Sequence, residues 1–177
     1  MVDNNLLCVM PWDTYFIELL DFIAIKSKDK TKTSAIIVGK EHEIRSTGFN
    51  GFPRGVDESD PLKWERPEKY YWAEHAERNA IYNAARMGTC ISGCTIYVSH
   101  FPCVDCARGI IQSGITNVIV SPKNLGAFRR ETSMYYEHEK RTIEMFRQSK
   151  VSYTIYGEEI PNGDLIEKED LEKLWGV

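Results

Sequence analysis

The sequence lacks the features that mark secreted, membrane-spanning and fibrous proteins. No apolar stretch approaches about 18 residues, so a membrane-spanning helix is not expected. The N-terminal segment has no basic stretch followed by an apolar one, which argues against a signal peptide. Cysteine is scarce, and five is an odd number that does not suit a disulfide framework. These absences predict a cytoplasmic protein without a membrane anchor.

Basic residues are also too few for a large nucleic-acid surface. Lys and Arg total 22 against 26 Asp and Glu, giving a net charge of −4 and a pI of about 5.6. We therefore expect no stable nucleic-acid partner and favour a small-molecule substrate. The length of 177 residues and the 42% hydrophobic content suit one globular domain. That domain spans 1–177, with a core at about 12–156 and an acidic tail at 157–177.

Two short motifs carry the strongest chemical signal, H-A-E at 75–77 and P-C-V-D-C at 102–106. The spacing of Cys103 and Cys106 lets both thiolates bind one metal from a helical turn, and His75 supplies a third ligand. Three protein ligands leave the fourth position of zinc for water, which is the catalytic pattern. Glu77 would stand beside that water and carry protons. H-x-E followed by P-C-x-x-C is the known signature of zinc-dependent nucleobase deaminases.

Other interpretations of these cysteines and histidines have weaker support. A C-x-x-C pair can be redox-active, but such a pair needs no H-A-E motif. A structural zinc would need a fourth ligand, and none is evident. His100 is a weaker candidate for that ligand, because an open position suits the site better. Cys90 and Cys94 are expected to be small buried apolar residues.

Periodicity predicts alternating helices and strands. The expected helices are at 12–25, 72–87, 103–113 and a segment ending at 149, and the expected strands at 34–38, 44–49, 94–98, 117–120 and 151–156. The first two strands form an antiparallel hairpin with His42 at its solvated tip. Residues 48–55 form a glycine-rich loop, and 56–71 a surface insertion anchored by Trp64, Tyr70 and Tyr71. The order predicts an α/β fold, a three-layer α/β/α sandwich around a five-stranded mixed sheet.

The chain resembles the deoxycytidylate (dCMP) deaminases of the cytidine deaminase superfamily over about residues 12–156. The resemblance rests on WDTYF at 12–16, GFNGFPRG at 48–55, HAERNA at 75–80 and FPCVDCA at 101–107. It implies zinc-dependent hydrolysis of dCMP to dUMP and ammonia, and a homo-oligomer, with a hexamer favoured. It also implies activation by dCTP and inhibition by dTTP. Residues 56–72 lack the Cys and His that hold a second zinc in some members, so one zinc per chain is expected.

The resemblance also assigns substrate contacts. Asn50 matches the residue that binds the sugar 3′-hydroxyl, the amide of Ala76 meets the pyrimidine O2, and the backbone of Ser99 receives the departing amino group. Lys26 and Ser27 stand where family members have Arg-Ser near the phosphate; Lys lacks the bidentate grip of Arg. Three aromatic residues compete to stack on the base, and two arginines to bind the phosphate: Phe128, Tyr135, Tyr136, Arg129 and Arg130.

An effector site is expected in the glycine-rich loop and its neighbour, with Mg²⁺ accompanying a triphosphate. Its candidate residues are Phe52, Arg54, Gly55 and Asn79. Two alternatives remain open, a tRNA adenosine deaminase-like enzyme and a non-catalytic protein that retains zinc. The net negative charge and the glycine loop argue against the first, and Glu77 argues against the second. The sequence does not rank dCMP over dCTP as the substrate.

Overall fold

The computed structural model describes residues 9–127 and 134–157, except for the side chains of 125–127 and 134–137. In this part of the chain, five strands form one sheet in the order β2-β1-β3-β4-β5. Their bounds are β1 Ser34–Val38, β2 Ile44–Phe49, β3 Thr95–Val98, β4 Asn117–Val120 and β5 Ser152–Ile155. Strand β1 pairs antiparallel with β2 and β3, whereas β3, β4 and β5 run parallel. The predicted hairpin and mixed sheet are confirmed.

The helices lie on both faces of this sheet. They are α1 Trp12–Ala24, α2 Lys69–Trp72, α3 Ala76–Met87, α4 Val104–Gln112 and α5 Met134–Ser149, with 3₁₀ turns at Pro61–Trp64 and Pro122–Ala127. Because side chains alternate along a strand, Ile36 packs with α1 on one face and Ile37 packs with α3 on the other. Helices α4 and α5 add their buried residues to the same core as α3. The three-layer α/β/α arrangement is confirmed.

The predicted helix at 72–87 is two helices separated by an extended segment. Helix α2 ends at Trp72, and α3 begins at Ala76 after His75, whose backbone is extended. The interruption comes from Glu74, which exchanges two backbone hydrogen bonds with Gly51, of 3.1 and 2.8 Å. The alanines in this region keep helical spacing on both sides of the break, so the sequence pattern does not reveal it. His75 therefore precedes the first turn of α3, and only Glu77 lies within it.

The insertion at 56–71 is anchored differently from the prediction. Trp64 stacks on Phe52 with ring centroids 4.2 Å apart, as an anchor should. Tyr70 and Tyr71 are 48% and 82% exposed, so their proposed anchoring role is wrong. Trp72, just after the insertion, packs near Phe52 instead. The aromatic residues of the insertion could be recognised in the sequence, but the sequence does not show which of their rings are buried.

Three smaller expectations have mixed outcomes. His42 is exposed in the hairpin turn, as predicted, and its ring stacks on Trp12 at 4.7 Å. Cys94 is buried as expected, but Cys90 is exposed. Within the described segments, no helix combines the length and apolar character needed to cross a bilayer.

Helix α3 lies against strand β2 at Gly48, where no side chain could fit. A Cβ at this position would be 2.2 Å from the carbonyl oxygen of Ala76 and 2.4 Å from the amide nitrogen of Ala80. Polar contacts hold the same two elements together: Ser46 donates to the Ala80 carbonyl at 2.7 Å, and Asn83 donates to the Thr47 carbonyl at 2.7 Å. Gly48 thus sets the position of the start of α3.

We expect Gly48→Ala to push the first turn of α3 away from the sheet. Overpacking of this kind lowers the free energy of unfolding by about 1–3 kcal/mol. It should also displace His75 and Glu77, which lie at the start of α3. The matched control is Gly51→Ala, because a Cβ there meets nothing closer than 3.9 Å. Urea unfolding and metal content should separate the two variants. Equal stability and metal content in both would contradict this role for Gly48.

Candidate active site

A cavity of about 440 Å³ opens at the end of the sheet where β1 begins and β3 ends. Its wall includes Ser34 from β1 and Ser99 directly after β3. The loop before β1, the insertion, the start of α3, the segment before α4 and helix α5 also line it, through residues that include Asp29, Arg66, His75, Cys103 and His138. A cavity of this size accommodates one small ligand.

Two helix N-termini meet in this wall. His75 immediately precedes α3, and Cys103 immediately precedes α4, both with extended backbone. Cys106 lies in the first turn of α4 and is fully buried. The Nδ1 atom of His75 is 3.5 Å from the Sγ atom of each cysteine. The structure therefore brings together the three residues that the sequence predicts as metal ligands.

The spacing of these atoms fits a tetrahedral zinc site. With Zn–S bonds near 2.3 Å and a Zn–N bond near 2.0 Å, tetrahedral geometry separates sulfur from nitrogen by about 3.5 Å. The two observed separations are 3.5 Å. Across residues 9–127 and 134–157, this is the one group of three His, Cys, Asp or Glu side chains that could hold a metal ion. His100 lies outside that group, with its Nδ1 atom 3.1 Å from the Ser99 hydroxyl.

The two thiols differ in acidity because they are hydrogen-bonded to each other. A hydrogen bond from Cys106, aided by one from His75, lowers the pKa of Cys103 to about 3. The same contact with Cys103, together with burial, raises the pKa of Cys106. One thiolate is therefore formed readily in the pair, and the thiolate is the form that binds metals.

Glu77 places a carboxyl group in the cavity wall beside the three candidate ligands. It lies in the first turn of α3 and is 7% exposed. Burial raises the pKa of the Glu77 carboxyl, and the positive charge of His75 opposes that rise. A carboxyl group with a raised pKa is suited to accept and return a proton near neutral pH.

Two of the predicted substrate contacts lie in the wall. Asn50 accepts a hydrogen bond from the Thr33 amide at 2.8 Å and donates one to the Thr31 carbonyl at 2.9 Å. A side-chain amide can donate two hydrogen bonds and accept two, so Asn50 can still form one of each with a ligand. The carbonyl of Ser99 accepts from the Asn124 amide at 3.2 Å. Ala76 is fully buried, and its neighbours His75 and Glu77 form the wall beside it.

Other predicted contacts lie away from the wall. Lys26 is exposed, and neither it nor Ser27 lines the cavity. Ser27 is buried and donates to the Asn50 carbonyl at 2.8 Å, so it supports the backbone of Asn50 instead. The remaining candidates, Phe128, Arg129, Arg130 and the side chains of Tyr135 and Tyr136, lie outside the described residues.

Comparison with known proteins decides the family. The model of the cytidine and deoxycytidylate deaminase zinc-binding region matches residues 10–122, which include His75, Glu77, Cys103 and Cys106. The chain belongs to this family. The resemblance stated from the motifs is thereby confirmed.

Individual relatives agree with the family model. An uncharacterized deaminase of Aliivibrio fischeri is 36% identical over 146 residues, covering 82% of this chain and 94% of that protein. Human deoxycytidylate deaminase is 40% identical over 117 residues, covering 62% of this chain and 64% of the human protein. The apo crystal structure of dCMP deaminase from cyanophage S-TIM5 has a TM-score of 0.60 and 25% identity, covering 83% of this chain and 99% of that one.

The candidate effector residues lie outside the cavity of this family member. The Phe52 ring is 7% exposed and stacks on Trp64, so it offers no free aromatic face to the base of an effector. Arg54 donates to the Asn83 side chain, and Asn79 donates to the Phe49 carbonyl at 2.8 Å. Gly55 has φ +83° in open space, a conformation that favours glycine.

Sequence reasoning missed several residues of the wall. Lys69 binds both carboxylate oxygens of Asp29 at 2.9 Å, and both residues are buried. Arg66, His138 and Glu139 also line the cavity. None of these belongs to a motif, and Asp29 lies 40 residues from its partner. Only the tertiary structure brings them to the site.

We expect the purified protein to contain about one zinc per chain. Cys103→Ala and His75→Ala should lose the metal, because two protein ligands do not hold zinc tightly. The control is Cys90→Ala, which removes an exposed thiol outside the ligand group. Mass spectrometry of metal content after dialysis measures the result. Full zinc occupancy in Cys103→Ala would contradict the assignment, and two zinc ions per wild-type chain would reveal another site.

Proposed function

We propose that the protein catalyses zinc-dependent hydrolytic deamination of dCMP to dUMP and ammonia. The observation that carries the proposal is the buried Glu77 carboxyl in one cavity with His75 and Cys103, in a member of this family. The named activity of relatives supports the substrate. The human relative at 40% identity over 117 residues is named deoxycytidylate deaminase.

Glu77 has the central role in the proposed reaction. Zinc held by His75, Cys103 and Cys106 would lower the pKa of a bound water towards about 7. Glu77 takes a proton from the attacking water and delivers it to N3 of cytosine as the new bond forms at C4. The same carboxyl then transfers the second proton to the amino group, which leaves as ammonia. One buried carboxyl thus serves both proton transfers.

The cavity wall offers contacts for the rest of the nucleotide. We assign the sugar 3′-hydroxyl to Asn50, the pyrimidine O2 to the amide of Ala76 and the departing amino group to the carbonyl of Ser99. The first amides of a helix have no partner within it, which leaves the Ala76 amide suited to an acceptor. For stacking on the base we propose Tyr135, which lies one turn before His138 and Glu139 in α5.

A free nucleotide suits this protein better than a base within a polynucleotide. The net charge of −4 gives little attraction for a phosphate backbone. A free nucleotide also reaches the site without the cost of being flipped out of a stack. The enzyme is assigned to the cytoplasm, where its free thiols would remain reduced.

We also propose that dCTP activates and dTTP inhibits the enzyme in a homo-oligomer, with a hexamer favoured. The support is the loop at 48–55, where Arg54 is exposed and Gly55 lies in open space. A guanidinium suits a triphosphate that carries Mg²⁺. Because Phe52 is covered, the base of the effector would need contacts other than that ring.

Glu77→Gln should keep its zinc and its stability but reduce turnover of dCMP by about 100- to 10,000-fold, since an amide cannot shuttle the protons. Glu144→Gln is a suitable control, because Glu144 is an exposed residue of α5 outside the cavity. Ammonia release under saturating dCMP measures the effect. Near-normal turnover in zinc-loaded Glu77→Gln would refute the proposed mechanism.

For the regulation, we expect the rate to depend sigmoidally on dCMP alone and almost hyperbolically when dCTP and Mg²⁺ are present. A ligand shifts a conformational equilibrium only by its differential affinity for the two states. Arg54→Ala should weaken the response to both triphosphates while the maximal rate stays unchanged. Initial rates at low dCMP test this. Indifference of an oligomeric wild-type enzyme to dCTP and dTTP would exclude the regulatory proposal.

A further inference from the structure

The lysine-rich loop at 26–33, just before β1, does not direct its positive charges into the cavity. Lys28 forms an ion pair with Glu58, and Lys30 forms one with Glu65 at 2.6 Å. Lys32 donates to the carbonyls of Ile25 and Ser27. None of these lysines, nor Lys26, lines the cavity. Among the described residues, the cations that line the cavity therefore come from another segment.

Two residues in the described wall carry a fixed positive charge, Arg66 and Lys69. Lys69 is buried and holds both carboxylate oxygens of Asp29 at 2.9 Å, so its charge is balanced. Removing either partner would leave an uncompensated charge in the wall, which is costly. Lys69 is therefore already committed to Asp29.

Arg66 differs from Lys69 in both exposure and partners. It is exposed, and the described residues include no carboxylate paired with it. Its guanidinium carbon lies 5.9 Å from the ring centroid of Tyr70, another residue of the wall. A guanidinium that lies over an aromatic ring still has its N–H donors free to bind a ligand. These donors are coplanar and can bind a phosphate group through two parallel hydrogen bonds.

The insertion is held beside the cavity by contacts with the lysine-rich loop. The buried pair of Asp29 with Lys69 joins the two segments, and the exposed pairs of Lys28 and Lys30 lie alongside it. The loop also carries Thr31 and Thr33, which fix the side chain of Asn50. Arg66 therefore belongs to a segment that contacts the loop holding Asn50, the residue assigned to the sugar.

We infer that Arg66 binds the 5′-phosphate of the substrate and makes the enzyme selective for a nucleotide over a nucleoside. The inference rests on the proposed function, which places the base against buried Glu77. Glu77 and Asn50 are buried in the wall, whereas Arg66 is exposed in the same wall. With the base against Glu77 and the sugar at Asn50, the phosphate would lie in the more exposed part of the cavity, where Arg66 can reach it. This positively charged group belongs to the insertion and replaces the predicted contact at Lys26 and Ser27.

The test compares dCMP with deoxycytidine in the holoenzyme. Arg66→Met should lower kcat/KM for dCMP by about 10- to 100-fold, as loss of a charged hydrogen-bonding group does. It should leave kcat/KM for deoxycytidine unchanged, because the nucleoside has no phosphate. Arg66→Lys should recover part of the loss through its charge. Lys26→Met is the matched control and should not change the ratio of the two substrates.

Equal losses for both substrates in Arg66→Met, or no loss for either, would overturn the inference. The inference would also be overturned if Arg129→Ala or Arg130→Ala removed the preference for dCMP over deoxycytidine while Arg66→Met kept it. A zinc-loaded wild-type protein that deaminates no dCMP would refute the proposed function instead. In that case, the affinities for dUMP and deoxyuridine, measured by calorimetric titration, still test whether Arg66 binds the 5′-phosphate. Weaker binding of dUMP alone in Arg66→Met supports it, and unchanged binding of both refutes it.

Discussion

The contact between the backbone of α3 and strand β2 at Gly48 determines where His75 and Glu77 lie. Only a residue without a side chain lets the Ala76 carbonyl and the Ala80 amide approach β2 so closely. His75 and Glu77 flank Ala76, so this contact positions the candidate metal ligand and the proposed proton carrier together. Helix α4 then brings Cys103 and Cys106 to the same place from β3. The metal donors and the acid are thus positioned by rigid elements of the sandwich.

The cavity divides into a chemical end and a recognition end. At the chemical end, His75, the two cysteines and Glu77 are partly or fully buried, and burial raises the pKa of the Glu77 carboxyl. At the recognition end, polar groups come from loops tied together by the buried pair of Asp29 and Lys69. In the proposed reaction, the chemistry would depend on the helix termini, and substrate selectivity would depend on surface segments, which can differ among proteins with the same fold.

Local sequence patterns predicted the elements and the metal-ligand group but not the recognition end. The H-A-E and P-C-V-D-C motifs identified His75, Glu77, Cys103 and Cys106, because the required groups lie within a few residues of one another. The ion pairs of Lys28 and Lys30 could not be predicted from local patterns, since their glutamate partners are 30 and 35 residues away. Similarly, Tyr70 and Tyr71 were as plausible as anchors as Trp72, and only packing against Phe52 distinguishes them.

The activity proposed for this site is deamination of a free cytosine deoxynucleotide. Its most direct test is the rate of ammonia release by the zinc-loaded wild-type protein with dCMP, cytidine, dCTP or an adenosine-containing RNA hairpin. We expect dCMP to have the highest kcat/KM, with dUMP as the product, and the RNA not to be deaminated. Deamination of the RNA adenosine without deamination of dCMP, or no ammonia from any of the four, would contradict this proposal.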